Sequence, residues 1–582
     1  MEQRNRIFTP QRMKQLILAT SCAMALAPLA ANAQNSDSLA RYQWHLHNTG
    51  QKVQADTLPV SGVDLKVDSA YKAGIHGKGV TIAIVDDGLQ IAHPDLAANI
   101  AKVAGKNFAN QSNDPTPSNL NADNHGTMVG GIAGAVGNNN VGVRGVAPAA
   151  TLKGFNVLSQ TAQGSQTSNI EYSWWSGAEV QDVDVFNNSW GTGPSNGSLP
   201  FTFSQNEVNS FERAMKSTRG GRGGIYVKSA GNNFNNAWNE GDKRDYCTQD
   251  TITKGNGCIP ATRDPRNNLQ TVITVGAVRA DGIRSSYSSV GSSLWISAFG
   301  GESGWEKSYR SGQAKEYYDP AILTTDAIGC SEGGNQNSLI RNSLDGSNSI
   351  IDKTCNYTAK MNGTSASAPM ISGVAALMLE ANPTLSYREV KYILATTAVQ
   401  TDKTHNGWVK NKAGHNYSNW YGFGLVNAAA AIDAADKFKT PFPALVDTGW
   451  SANANSVAIG GTTKPAVISI DFTSAPSKIE TVQIGFEVSH TNTRRIQFVL
   501  ISPAGTRSVV QPAYTAIGSG KHWLFGNTTQ ANFSAWNFVA SNAFLDEDGK
   551  GKWKLEVSDL GLGASAQPLG NLTSFNIRVL GH

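Results

Sequence analysis

Between residues 37 and 439 short, apolar, β-branched runs alternate with helix-like stretches, and this alternation constrains the fold more than any other feature of the chain. The runs fall at 80–85, 183–186, 225–227 and 272–278, and the helix-like stretches at 126–136, 207–218, 366–379 and 387–396. A strand that is apolar on both faces must be covered on both faces, so the pattern predicts an α/β architecture: a parallel sheet sandwiched by helices. A further helix-like run at 428–435 ends before Lys439-Thr440-Pro441-Phe442-Pro443, whose prolines cannot continue it, and places a domain boundary near residue 440. Beyond it the pattern changes to short alternating strands at 467–472, 479–488 and 496–501, which predicts an all-β sandwich of jelly-roll type. At 582 residues the chain is too long for one core, in keeping with two domains, and it carries no internal repeat.

Chemistry enters at Asn362-Gly363-Thr364-Ser365-Ala366-Ser367-Ala368-Pro369-Met370. Ser365 stands between a turn and a run of small and apolar residues, which puts it at a helix N-terminus, where unpaired N–H groups favour developing negative charge. Upstream, Asp86 directly follows the run 81–85, and His125 opens a glycine-rich helical segment. Asp, His and Ser in that order along the chain match one of the known orders of a catalytic triad. Asp86, rigid at a strand end, would orient the imidazole. His125 would take the Ser365 proton and pass it to the leaving amine. Asn232, in Ser229-Ala230-Gly231-Asn232-Asn233 after another strand, offers a side-chain amide as oxyanion donor.

With these residues in place the chain resembles the subtilisin-like serine proteases, and specifically their kexin/furin branch. The branch markers are Gln43-Trp44-His45-Leu46 with Asn48-Thr49-Gly50-Gln51, Asp86-Asp87-Gly88, Asn188-Ser189-Trp190-Gly191 and Tyr421-Gly422-Phe423-Gly424-Leu425-Val426-Asn427-Ala428. In the second domain, Ser502-Pro503-Ala504-Gly505-Thr506-Arg507-Ser508 and Trp553-Lys554-Leu555-Glu556-Val557 resemble the P (homoB) domain that follows the catalytic domain in kexin-like proteases.

The resemblance implies a structural Ca2+. The stretch from Val136 to Pro148 resembles the calcium loop, with the Asn139 side chain and the carbonyls of Gly137, Val141 and Val143 as ligands, and Asp95 and Asp37 match the two carboxylate ligands. Such an oxygen set suits a hard cation. The family's second calcium site is poorly supported: Asp245 matches one ligand, but Pro194 and Ser289 stand at the other two acidic positions. The resemblance also implies cleavage after Lys or Arg. Asp264 matches an acid at the base of the primary specificity pocket, Asp87 and Asp123 match acids that receive the preceding basic residue, and Ser189, Trp190 and Gly191 are substrate-binding positions. Pro194 departs from the family's usual Asp in the primary pocket, and Glu171 is a candidate replacement for an acid further upstream. With fewer acids, preference for basic residues survives while stringency falls.

The termini and the composition bound the rest. Arg4, Arg6, Arg12 and Lys14 precede an apolar run and Ala31-Asn32-Ala33, the pattern of a secretory signal over residues 1–33, giving 34–440 as peptidase domain and 441–582 as P domain. Cys22 lies inside the apolar run without the residues a lipoprotein signal needs, and no run reaches the roughly 20 apolar residues of a membrane helix. The expectation is an exported protein, extracellular or periplasmic, with no membrane partner. With 48 basic against 44 acidic residues and a net charge of +4, no nucleic-acid partner is expected either. Cys247, Cys258, Cys330 and Cys355 remain after the signal and permit three pairings; Cys247–Cys258 and Cys330–Cys355 are favoured over a zinc site, for which no close Cys or His pair exists.

The leading expectation is therefore a calcium-stabilised serine endopeptidase acting on proteins and peptides with basic residues, preferably at paired basic sites. The alternatives are a broad-specificity degradative subtilase and an inactive exported binding protein. Asp37 follows the signal almost at once, leaving no room for the folding propeptide of most subtilases, and this predicts a separate exported chaperone.

Overall fold

Both faces of the strand Thr81–Asp86 (β1) are apolar, and each feeds its own core: Ile82 and Ile84 enter one cluster, Ala83 and Val85 the other. The computed structural model describes residues 37–191, 203–235, 256–515, 532–563 and 566–582, with a few short pieces between them. The expected signal segment, Pro194 and Cys247 lie outside the described residues.

Around β1 the strands Ile100–Lys106 (β2), Thr151–Asn156 (β3), Val185–Asn188 (β4), Ile225–Ser229 (β5), Val272–Val278 (β6) and Ile296–Phe299 (β7) form one seven-stranded sheet in the order β2-β3-β1-β4-β5-β6-β7. Every pairing in it is parallel. The expected strand at 183–186 is displaced to Val185–Asn188. Its apolar run stops at Phe186, but the ladder continues with Asn187 opposite Val227 and Asn188 opposite Lys228. These buried polar residues are tolerated because they are bonded: Asn187 donates to Ser189 Oγ, and Asn188 Oδ1 accepts the Trp174 indole N–H.

Helices His125–Gly134 (α1), Gln205–Ser217 (α2), Thr364–Ala381 (α3), Tyr387–Thr397 (α4) and Ala428–Lys437 (α5) supply the cover. Residues 366–379 of α3 are all buried, as their small and apolar character requires of a helix in the middle of a domain. Glycine lets α1 press close: a β-carbon on Gly126 would fall 2.0 Å from the Gly88 carbonyl, and one on Gly131 2.1 Å from Thr325 Oγ1. Ser204 and Glu207 form a capping box on α2, and Ser386 and Glu389 another on α4.

The C-terminal domain is a sandwich of two antiparallel sheets. One pairs Ile479–His490 with Asn532–Ser541 and Gly570–Gly581; the other runs from Ala466–Phe472 through Gly551–Asp559 and Ile496–Ile501 to Arg507–Gln511. Ile468, Val482, Ile484, Leu500, Trp553, Leu555, Phe575 and Ile577 close its core. The two domains share apolar packing, since Phe538, Ala543 and Leu545 join the peptidase clusters. Polar bonds accompany it, with Arg388 on Glu480, His415 and Tyr392 on Asp546, and Asn542 donating to the Ser293 carbonyl.

Cys330 and Cys355 are joined as expected. Cys258 is buried and disulfide-bonded, while its expected partner Cys247 lies outside the described residues. Among the described residues no helix is long and apolar enough to cross a membrane.

Candidate active site

Asp86 closes β1 with its side chain fully buried, and its Oδ1 accepts from His125 Nδ1 at 2.8 Å and from the Asp87 N–H at 2.9 Å. His125 stands at the first position of α1, its side chain about one-third exposed. The Asp87 carboxylate holds that helix end by accepting the N–H groups of His125 (2.9 Å) and Gly126 (2.7 Å), bonds that anions favour at helix N-termini. One acid thus orients the imidazole while its neighbour fixes the backbone that carries it.

Burial lowers the His125 pKa, but the Asp86 charge and hydrogen bond, with the Asp87 charge behind them, outweigh burial and push it up to about 9. Burial, joined by repulsion from Asp86, pushes Asp87 up to about 7 against the pull of His125 and the two N–H groups. A general base must be neutral to act, so activity rises with pH through the His125 titration. Asp87→Asn removes one of the charges that stabilise the imidazolium. The acid limb of the kcat/KM–pH profile is therefore expected at lower pH in that variant, with stability reduced by about 1 kcal/mol for the weakened helix end. A limb that stayed put or moved up would show that the Asp87 charge does not reach the imidazole.

Ser365 is the second residue of α3, which follows Gly363 at φ 92°. Pro369 has no N–H to give the Ser365 carbonyl, and Ser189 Oγ donates to that carbonyl instead at 2.9 Å. In return Ser365 Oγ donates to the Ser189 carbonyl at 2.9 Å, so attack requires the hydroxyl to turn from Ser189 to the imidazole. Ser365, His125 and Asn232 line one open cavity of about 330 Å3, together with Met128, Gly334, Thr358, Lys360, Met361 and Asn362. Asn232 Oδ1 accepts both the N–H and the hydroxyl of Thr364 at 2.9 Å, which fixes the amide plane. Its Nδ2 lies beside Gly363 and makes no hydrogen bond among the described residues, leaving a donor for an oxyanion next to Ser365.

The expected specificity residues are each already engaged with neighbours. Trp190 donates its indole N–H to the Val85 carbonyl at 2.7 Å and stacks on Trp174. Asp123 Oδ2 accepts from Ser159 Oγ at 2.7 Å. Asp264 is buried; its Oδ1 accepts the Arg266 N–H at 3.0 Å, and its Oδ2 is 3.0 Å from Lys228 Nζ. A β-carbon on Gly191 would lie 3.4 Å from Asp264 Oδ2, so this carboxylate sits beneath the Ser189–Trp190–Gly191 segment. Two residues were not singled out from the sequence. One is Lys228. The other is Asp326, whose carboxylate gathers the N–H groups of Ala327, Gly334 and Asn335 and the Asn124 amide, fixing the cleft wall beside His125.

At the expected calcium loop, left-handed Asn138 and Asn140 curl residues 137–143 around Asp95, whose Oδ1 accepts from Asn139 Nδ2 and whose Oδ2 accepts from the Val143 N–H, both at 2.8 Å. The Asp37 oxygens accept the N–H groups of Asn138 and Asn139, and Oδ2 is 3.2 Å from Arg144 Nε. The carbonyls of Gly137, Val141 and Val143 accept no hydrogen bond among the described residues, whereas the Gly142 carbonyl takes the Leu39 N–H. The carboxylates and free carbonyls suit a hard cation, but the Asn139 Oδ1 already accepts the Val141 N–H at 2.9 Å and Asp37 is shared with Arg144, so binding an ion would require both to adjust.

An alcohol nucleophile with an imidazole base that a buried carboxylate orients is the working part of a serine hydrolase. The chain belongs to the subtilase family, whose model matches residues 77–424, and the proprotein convertase P-domain model matches residues 479–579. It is a serine endopeptidase by that membership. It is 34% identical to the Aeromonas extracellular serine protease of Aeromonas sobria, covering 94% of this chain and 91% of that one. Neuroendocrine convertase 2 of Bos taurus is 29% identical over 94% of this chain and 74% of its own. The crystal structure of the Aeromonas sobria serine protease superposes with a TM-score of 0.84 at 31% identity, covering 96% of this chain and 97% of that one. A second structure, of that protease in complex with the chaperone ORF2, superposes with a TM-score of 0.82 at 30% identity.

Proposed function

We propose that this subtilase is an exported, calcium-stabilised endopeptidase that cleaves after Lys or Arg, preferentially at paired basic sites, with Ser365, His125 and Asp86 as triad and Asn232 as oxyanion donor. The observation that supports the basic preference is the Asp264 carboxylate next to Gly191, with the Asp87 carboxylate at the His125 N–H and Asp123 two residues before His125. A carboxylate buried at the foot of a pocket draws a guanidinium or ammonium of the substrate. A second reading, a broad-specificity protease, is favoured by the ion pair that Lys228 already makes with that same carboxylate. Turnover of a peptide library varied at the residue before the cut separates them. The first reading expects kcat/KM for Arg and Lys at least tenfold above Leu and Phe, and a flat profile would replace it with the second.

Calcium is assigned to Asp95, Asn139, the carbonyls of Gly137, Val141 and Val143, and Asp37. Asp95 supports it: buried, with only neutral donors on its oxygens, it has its pKa pushed up to about 7 by burial, against the pull of Asn139 and Val143. A bound cation would supply the countercharge that such a carboxylate lacks. An ion held only by the folded state at about one hundred times its Kd adds about 2.7 kcal/mol. Chelation is accordingly expected to lower Tm more than initial activity, with calcium restoring it; a Tm indifferent to both would remove the ion from this loop.

The 34% identity to an extracellular protease supports export, and the relative's complex with a chaperone supports a dedicated external folding partner for this chain. A parallel sheet with crossovers, closed against a second domain, is rich in non-local contacts and exposes apolar surface while it folds.

A further inference from the structure

Lys228 is the penultimate residue, and the one charged residue, of the strand Ile225–Ser229, and its side chain is 1% exposed. Its ammonium is held from several sides. Nζ donates to the Trp190 carbonyl at 2.5 Å, pairs with Asp264 Oδ2 at 3.0 Å and lies 5.0 Å from the centre of the Trp190 ring. Ser229 Oγ shares the same carbonyl at 3.1 Å. A β-carbon on Gly191 would be 3.5 Å from Nζ, so cation and carboxylate lie side by side under the substrate-binding segment. A second cation is close: Arg266 Nη1 is 3.8 Å from Asp264 Oδ1, and its guanidinium lies 5.5 Å from the Trp190 ring centre.

We infer that Lys228 is a specificity-determining residue, a built-in cation that competes with the substrate's Lys or Arg for Asp264 and makes the primary pocket permissive. The inference rests on the proposed placement of Asp264 in that pocket. Its physical content is twofold. A substrate cation reaching Asp264 must share one carboxylate with Lys228, and like charges a few ångströms apart repel. A neutral side chain, by contrast, would ordinarily leave a buried carboxylate without a partner, a heavy penalty, and Lys228 removes it. Selectivity is the difference between these two affinities, and one ammonium lowers the first while raising the second.

The test is kcat/KM for peptides with Arg or Leu before the cut, in the full chain and in Lys228→Met, Lys228→Arg, Asp264→Asn and the Lys228→Met/Asp264→Asn double variant. Titration with a serine-directed covalent inhibitor counts the competent sites, so a poorly folding fraction does not enter the ratio. The double variant leaves no unpaired charge between the two positions and stands in if Lys228→Met alone does not fold. Lys228→Met is expected to raise the Arg/Leu ratio at least tenfold, Lys228→Arg to keep it within about threefold, and Asp264→Asn to lower it. In the double variant the ratio should rise above that of Asp264→Asn, because the lysine no longer repels a substrate cation, yet stay below that of Lys228→Met, which keeps the acid. An Arg/Leu ratio unchanged in Lys228→Met, or a double variant no more basic-selective than Asp264→Asn, overturns the inference. The two proposals fail separately. A flat wild-type profile with a basic-selective Lys228→Met overturns the Lys/Arg reading and supports the role of Lys228. A basic-selective wild type that Lys228→Met leaves unaltered does the reverse.

Discussion

Ser365→Ala is expected to lower kcat about a millionfold while leaving the fold intact. The hydroxyl makes one hydrogen bond, to the Ser189 carbonyl, at a half-buried site on the second residue of α3. Losing a single bond of that kind costs about 1 kcal/mol at most, and alanine's helix propensity offsets part of it. The reciprocal bond, from Ser189 Oγ to the Ser365 carbonyl, is backbone at its acceptor and survives the substitution. What disappears is the covalent route: with no alkoxide to form, His125 has no proton to take. The Asn232 amide and the bound geometry would still supply about 10³–10⁴ over the uncatalysed rate. Turnover of a chromogenic peptide by purified, correctly folded Ser365→Ala is the measurement. Activity within tenfold of the parent would remove Ser365 from the mechanism.

The proposed triad residues could be picked out as candidates because each is announced locally. Asp86 ends an apolar run, His125 starts a segment whose glycines permit close packing, and Ser365 precedes a helix of small residues. The order of the helices and the two-domain division were readable for the same reason, since burial on both faces and alternation leave different periods. The edge strands Ile100–Lys106 and Ile296–Phe299 were not read, being short or half polar; they are defined by ladder partners distant in sequence. Lys228 left a signal that could have been followed: a lysine inside Ile225-Tyr226-Val227-Lys228-Ser229 is buried if the strand is, and a buried ammonium needs an acid. Which acid was not legible. Asp264 lies 36 positions on in the numbering, and only the pairing of β5 with β6 and the turn before β6 bring it under Trp190. The proposed calcium loop was legible as oxygen-rich, but the guanidinium of Arg144 at Asp37 is a tertiary fact, as its side chain folds back across the loop.

Arg578→Ala is expected to destabilise the enzyme by about 3–5 kcal/mol, a fall in Tm of about 3–4 °C for a folding unit of this size, though Arg578 lies in the last strand of the P domain. Its guanidinium is 6% exposed and sits between the domains. Nη1 reaches Glu212 Oε2 on α2 at 3.0 Å and Gln483 Oε1 at 3.1 Å, while Nε and Nη2 bind the Asp447 carboxylate at 2.9 and 2.5 Å. Glu212, 1% exposed, also accepts from the Gln270 N–H at 2.7 Å and from Gln483 Nε2 at 2.6 Å. Removing the arginine leaves that carboxylate buried with neutral donors and a lysine 3.7 Å away, whose own pKa burial lowers despite the pull of Glu212. The penalty is the cost of an uncompensated buried charge rather than the worth of one ion pair, and this sets its size. A control lies in the same domain: Arg507 pairs with Glu556 at 2.5 Å, but its side chain is 54% exposed, and Arg507→Ala should cost less than 1 kcal/mol. Thermal unfolding of both variants under one calcium concentration compares them directly. Equal, small losses would show that the domains are held without Arg578, by the apolar contacts of Phe538, Ala543 and Leu545 and the remaining polar bonds between them. A large loss for Arg578 alone would make the P domain the source of the countercharge that a helix of the peptidase domain requires, and hence part of the folding unit rather than an appendage.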